Sequence, residues 1–270
     1  ADLSFGEVIG HGASGAMVLR GTVTRRDGGK EGRPLPCAAK VLPLCAATFP
    51  DMVEDFGHEV SLMRRLQHPG LVAFFGACRV CTPVLPGVDE VYVLCMELCD
   101  DTLNAVIQRR RKPNKPFGPE ELGPFVARIA EALGYLHSQG ILHRDMKAAN
   151  VFLLRNTDER GHAAAGDGRN LPLTAFHAKL GDLGGGKAAS RAQTPVQTPQ
   201  WMAPEVIRME GYGPPADVWG LGAVIYEMLE LGVPYGEEIT MARLEQELVA
   251  GRRPALADRS GAEARVPAFV

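Results

Sequence analysis

Through its first third the chain alternates short apolar runs with turn residues: Ser4 to Ile9, Ala16 to Val23, Cys37 to Leu42, Val72 to Cys78 and Val91 to Leu98. Runs of this length, separated by Gly- and Pro-containing segments, predict the strands of an antiparallel sheet. One stretch breaks the rhythm: Val53, Phe56, Val60, Met63 and Leu66 recur at helical spacing. Glu59 lies one step from Phe56 and Met63 on that wheel. It falls at the edge of the apolar face, where a carboxylate calls for a cation. Further on the period is helical, with Phe125, Ile129, Leu133 and Leu136 on one stripe and Val218, Leu221, Ile225 and Met228 on another. The pattern predicts an α+β chain of two lobes. A small antiparallel β-rich lobe with one helix covers about 1–98, and a larger, mainly α-helical lobe covers about 99–270.

Composition narrows the class. With 270 residues, 46% of them hydrophobic, the chain can bury a sizeable core, and nothing in it is typical of disorder or fibres. A net charge of -3 gives no electrostatic reason to expect nucleic acid or an anionic membrane as the main partner. No apolar run approaches the roughly twenty residues that cross a bilayer, and Val218 to Leu229 is interrupted by Glu227. A cytoplasmic domain without membrane insertion is the expectation. The six cysteines are expected to be reduced; Cys78 and Cys81 have metal-ligand spacing, but no second pair stands at a matching offset. The chain opens on Ala1 and is expected to be part of a longer protein. Arg25 to Arg33 and Arg155 to Asn170 are polar and Gly-rich, and predict surface insertions, the second a docking loop or plain spacer.

Three elements carry chemistry. His143-Arg144-Asp145-Met146-Lys147-Ala148-Ala149-Asn150 places a carboxylate, a lysine and a carboxamide on one short loop: a proton acceptor, a phosphate-facing cation and a metal ligand. Gly181-Asp182-Leu183-Gly184 and then Trp201-Met202-Ala203-Pro204-Glu205 follow in order. Upstream, Ile9-Gly10-His11-Gly12-Ala13-Ser14-Gly15-Ala16-Met17 joins two predicted strands. Glycines there let backbone N–H groups approach phosphate oxygens, although a glycine-rich hairpin turn has the same look. With no helix following, a dinucleotide fold is disfavoured. Ala38-Ala39-Lys40 ends the next strand, where Lys40 can pair with Glu59.

Taken together these elements resemble the eukaryotic protein kinases over most of the chain, from about Phe5, which implies the two-lobed kinase fold, ATP and Mg²⁺ as cofactors, and a protein substrate. The resemblance implies that Lys40, held by Glu59, faces the α and β phosphates. Asp145 accepts or orients the proton of the substrate hydroxyl, Lys147 neutralises the moving γ-phosphoryl group, and Asn150 with Asp182 holds Mg²⁺. ATP is expected against Ile9, Gly10, Gly12, Gly15, Met17 and Ala38, with Met96 behind adenine, backbone groups of Glu97 and Cys99 on its edge, and Phe152 beneath it. Met17 replaces the family's usual Val, and Leu183 its usual Phe. Asp217-Val218-Trp219 matches a helix whose Asp braces the catalytic loop, or is a plain helix N-cap.

Arg144 before the catalytic Asp goes, in the family, with control by an upstream kinase through a phosphate and arginine pair. Ser190 and Thr194 are the phosphosite candidates, and Thr198 matches a structural threonine near the substrate. Lys147 with Thr198 has a serine/threonine-specific look, whereas Ala148-Ala149 has a tyrosine-kinase flavour; the mixture resembles the tyrosine-kinase-like group, which includes Raf, mixed-lineage and Roco relatives. A nucleotide-binding, pseudokinase-like scaffold or switch is the alternative to catalysis. The family's domain continues with further helices and an arginine for the Glu of Ala-Pro-Glu. Arg253-Pro254 follows Asp217 too closely to supply it. On this reading the domain is incomplete at its C-terminus, and Glu205 is expected to lack its partner. Such a deficit costs about 3–5 kcal/mol when the charge is buried, and implies marginal stability.

Overall fold

The computed structural model describes residues 2–11, 16–24, 26–27, 30–42, 50–81, 90–157, 171–183, 187–188 and 199–257. It divides into two compact units, Ala1–Cys99 and Asp100–Val270.

Unit 1 is built on β1 (Asp2–His11), β2 (Met17–Thr24), β5 (Leu35–Leu42), β6 (Phe74–Val80) and β7 (Val91–Glu97), all antiparallel in the order β1-β2-β5-β7-β6. A two-stranded ribbon, β3 (Arg26–Asp27) with β4 (Lys30–Glu31), occupies part of the first Gly-rich stretch. Alternation along β5 sorts its side chains. Cys37, Ala39 and Val41 are fully buried on one face; Ala38, Lys40 and Leu42 are half-buried on the other. The buried face packs with Leu19, Val91, Val93 and Cys95. The helix α1 (Pro50–Arg65) lies on the second face, where Phe56 packs on Leu94 and meets Tyr92 edge to face at 5.1 Å. Cys37, Cys78, Cys81, Cys95 and Cys99 are free thiols, and burial pushes Cys95 up to about 12, an unreactive state.

Unit 2 contains α2 (Leu103–Arg111), α3 (Pro119–Ser138), α4 (Pro204–Ile207), α5 (Pro214–Glu230) and α6 (Met241–Val249). Its strands are β8 (Asp101–Thr102), β9 (Ile141–Leu142), β10 (Val151–Arg155), β11 (Phe176–Leu180) and β12 (Lys187–Ala188). The predicted stripe on α3 is its buried side: Phe125, Ile129, Leu133 and Leu136. Gly140, at φ 71, turns the chain out of α3 towards the catalytic loop, a left-handed position that suits glycine. On α5 the expected stripe is corrected. Leu221 and Met228 are buried, but Ile225 is half-buried and Val218 is 59% exposed. The buried arc instead includes Ala216, Asp217, Gly220, Ala223, Val224 and Glu227. The two acids are drawn inward because they accept hydrogen bonds from the catalytic loop and its neighbours, which offsets the cost of burying them.

Among the described residues no helix is long and apolar enough to cross a membrane. Most of Arg155 to Asn170 lies outside the described residues.

Candidate active site

In unit 1 the register sets which side chains share a face. Val18 is paired with Lys40 on β2 and β5, Arg20 with Ala38, and on β7 Met96 is opposite Ala38. Val18, Ala38, Lys40 and Met96 therefore lie on one side of the sheet. Lys40 Nζ stands 3.6 Å from Glu59 Oε1, both side chains largely shielded from solvent. That spacing makes an ion pair rather than a short hydrogen bond.

Met17 is a correction. It pairs with Val41 and packs on the core of Leu19, Ala39 and Val41, the face opposite Lys40. The residue of β2 on the Lys40 face is Val18, which the motif count missed because strand alternation, not distance from Gly15, decides the side. Ile9 and Gly10 sit near the end of β1, with Ile9 41% exposed and Gly10 opposite Val18. Gly12 and Gly15 lie outside the described residues. The Glu97 N–H donates to the Ala73 carbonyl at 2.8 Å, and Glu97 Oε2 accepts the Ala73 N–H at 3.1 Å. Glu97 and Cys99 are both half-buried.

In unit 2 the loop 143–150, the expected catalytic loop, is fastened by buried bonds. Asp217, 1% exposed, accepts the backbone N–H of Arg144 on Oδ1, and that of His143 together with the His137 ring on Oδ2, each at 2.8 Å. Burial alone would raise its pKa, but these donors outweigh burial and hold the carboxyl below its ordinary value. The fully buried His143 accepts the Asp145 N–H on Nδ1 at 3.3 Å, so its Nε2–H donates to the Gly181 carbonyl at 3.1 Å. Burial lowers its pKa against the pull of Asp217, Asp145 and Asp182, so the ring is neutral. Arg144 is buried at φ 68, with Nε donating to the Tyr212 hydroxyl at 2.8 Å.

The residues expected to carry the chemistry converge on this frame. Lys147 Nζ is 2.8 Å from Asp145 Oδ2. Asn150 Nδ2 donates to the Asp145 carbonyl at 2.7 Å and to Asp145 Oδ2 at 2.8 Å. Spending its NH₂ this way leaves the amide oxygen of Asn150 as an acceptor. The Gly181 N–H bonds to the Asn150 carbonyl at 3.1 Å, which stitches Asp182 beside Asn150. Asp182 is exposed at φ 56, and Leu183 beside it is buried. Phe152 is half-buried on β10, opposite Thr102 and Lys179. Ser190, Thr194 and Thr198 lie outside the described residues.

Glu227 and Gly220 are site residues that sequence reasoning missed. Glu227 Oε2 accepts the Ala148 N–H at 3.1 Å and the Trp201 indole N–H at 2.7 Å. Burial pushes its carboxyl up to about 7, against these bonds and the charge of Lys147. The only sequence signal was a lone acid inside an apolar helical run. At Gly220 an added Cβ would stand 2.6 Å from the Met146 Cβ, so the close approach of α5 to the loop requires glycine.

Glu205, by contrast, is half-buried, and no cation among the described residues pairs with it. Arg252 bonds to Glu247, and Arg253 lies over the Trp219 ring at 4.7 Å. Because Glu205 keeps contact with water, the cost of a buried orphan charge does not apply, and the expectation of marginal stability loses its basis.

A family model described as protein kinase domain matches residues 3–259. The chain belongs to the protein kinase domain family. Mitogen-activated protein kinase kinase kinase 3 of Mus musculus is 30% identical over 193 residues, covering 69% of this chain and 26% of that protein. MAP3K epsilon protein kinase 1 of Arabidopsis thaliana is 30% identical over 66% of this chain and 11% of its own length. The probable serine/threonine-protein kinase nek3 of Dictyostelium discoideum is 31% identical over 66% of this chain and 14% of its own. The kinase domain thus matches between about a tenth and a quarter of these relatives. ATP and a protein substrate are what this family uses.

Proposed function

We propose that the chain is an ATP-dependent serine/threonine protein kinase domain acting in intracellular signalling. The observation that carries this reading is the Asp145, Lys147 and Asn150 cluster, bonded together and stitched to Asp182. On this reading Asp145 orients a substrate hydroxyl and takes its proton, while Lys147 offers a cation beside it for charge on the transferred phosphoryl group. The Asn150 amide oxygen and the Asp182 carboxylate form the all-oxygen donor set that Mg²⁺ favours, so the residues fit that ion. Bound there, Mg²⁺ supplies charge neutralisation at the β and γ phosphates. Lys40, tethered to Glu59, is assigned to the α and β phosphates, with Ala38, Val18 and Met96 as apolar neighbours of the nucleotide and Phe152 as a second apolar surface for it.

Lys147 together with Thr198 supports serine or threonine as acceptor, and their combination with Ala148-Ala149 supports a place near the tyrosine-kinase-like group. Regulation by an upstream kinase acting on Ser190 or Thr194, and a cytoplasmic setting without nucleic acid as partner, belong to the same reading. The test is transfer of the γ-phosphate from Mg·ATP to a basic protein and to the chain itself, beside Asp145→Asn, with phosphosites mapped. Phosphoserine or phosphothreonine that falls by about 10²–10⁴-fold in the variant is the expected result. A folded chain that binds Mg·ATP without transfer would instead make it a nucleotide-dependent switch.

A further inference from the structure

Arg144, the residue before Asp145, is a cation taken almost wholly out of water, at 2% exposure. Its backbone is held by Asp217, whose Oδ1 accepts the Arg144 N–H at 2.8 Å, and its φ of 68 is a left-handed value that a non-glycine residue keeps only where its surroundings impose it. The side chain is held from another quarter. Nε donates to the Tyr212 hydroxyl at 2.8 Å, and Cζ lies over the Tyr212 ring, 5.6 Å from its centroid and within reach of a cation–π contact. Burial strengthens both interactions. Tyr212 stands 68 residues away, between α4 and α5. Its ring packs on Met202, Ala203, Val206 and Ala216, which belong to the approach to α4, to α4 itself and to the first turn of α5. The two ends of this side chain therefore do different work. Packing fixes the ring, and a phenylalanine would fill the same place; only the bond to Arg144 calls for the hydroxyl.

We propose that Tyr212 is a positioning residue for phosphoryl transfer at Asp145: through Arg144 its hydroxyl ties loop 143–150 to the segment Met202–Ile207. Asp217 fixes the backbone of the loop from one side, and Tyr212 fixes the side chain next to Asp145 from the other. Because the acceptor is a neutral oxygen of the fold itself, this tether needs no phosphate at Ser190 or Thr194. Its loss would leave the loop attached but allow Asp145 to wander from the geometry that transfer requires, an effect on the chemical step rather than on binding. The inference rests on reading Asp145 as the residue that orients the substrate hydroxyl.

The test uses the whole chain, treated with phosphatase, in its natural form and as Tyr212→Phe, Arg144→Met and the two combined. Phosphate transfer to a serine peptide gives kcat and KM, and hydrogen exchange follows the amides of loop 143–150 beside those of α3. Tyr212→Phe is expected to lower kcat about tenfold with KM for peptide and for ATP unchanged. It is also expected to speed exchange in 143–150 about tenfold while α3 stays protected. Arg144→Met has at least the same effect, and adding Tyr212→Phe to it changes nothing further, because the partner is already gone. Faster exchange across α3 as well, a change in KM in place of kcat, or the same loss from Tyr212→Phe in both backgrounds overturns the tether. Should Tyr212→Phe not fold, Arg144→Met, which leaves Tyr212 in its cluster, carries the test: natural kcat and natural exchange in that variant overturn the proposal. Loop exchange that responds as expected in a chain that transfers no phosphate would sink the kinase reading and leave the tether standing. Transfer and exchange that both ignore Tyr212→Phe would do the reverse.

Discussion

Lys40 and Glu59 in unit 1 are joined at 3.6 Å between a strand and a helix, both half-buried. Asp217 in unit 2 is 1% exposed and accepts from two backbone N–H groups and a histidine ring at 2.8 Å each. The first contact joins elements that are otherwise held by apolar packing, so its loss is felt mainly by whatever the lysine binds. The second satisfies buried donors that have no substitute, so its loss is felt by the fold. The difference teaches that the loop 143–150 is held by buried bonds the fold depends on, whereas the lysine is held by a pair that can part at modest cost.

The sharpest way to break that comparison is Asp217→Ala. Leaving the His143 and Arg144 N–H groups buried without an acceptor is expected to cost about 3–5 kcal/mol in urea unfolding. A loss below about 1 kcal/mol would show that the loop is held by something else. Lys40→Met should act the other way, lowering kcat/KM with ATP about 10²–10³-fold while the unfolding midpoint moves by less than about 1 kcal/mol.

Glu227 tests the network through pH. Its carboxyl titrates near 4.5 when unfolded and at about 7 when folded, so the native state keeps the proton longer. The stabilisation is whole below pH 4.5, and it is lost as pH rises through about 7. Relative to Glu227→Gln, which does not titrate, the natural chain should lose about 3 kcal/mol between about pH 4.5 and pH 8. Parallel stability curves for the two proteins would contradict this. The smallest effect separates neighbours on β2: Met17→Ala should cost about 1 kcal/mol of stability with the KM for ATP unchanged, and Val18→Ala should raise that KM about threefold with stability unchanged. The reverse pattern would mean that the strand sits in the other register.

Much of this was legible in the chain. The strands of unit 1 and the buried side of α3 follow from local periodicity, since burial of one face writes itself into every second or every third and fourth residue. The pairing of Glu59 with Lys40 was legible for the same reason: each is a charge set in an apolar pattern. The face of Met17 was not legible, because one residue more or less after a glycine segment reverses every side chain of the strand. On α5 the apolar period misled, because the buried arc is lined partly by small and acidic residues, Ala216, Asp217, Gly220, Ala223 and Glu227, which an apolar stripe does not mark.

By itself the sequence determined the order of the chemistry: a glycine-rich turn, a lysine, a helical glutamate, then the carboxylates, lysine and carboxamide of one loop and its neighbour. Those are covalent facts, and their spacing limits what they can do. Only the tertiary structure decided what holds them. Asp217 reaches back across 73 and 74 residues to the catalytic loop, Glu227 across 79, and Gly220 is small because Met146 is close. Contacts at that separation leave no period in the chain, because each depends on one pair of atoms brought together by packing rather than on a repeat.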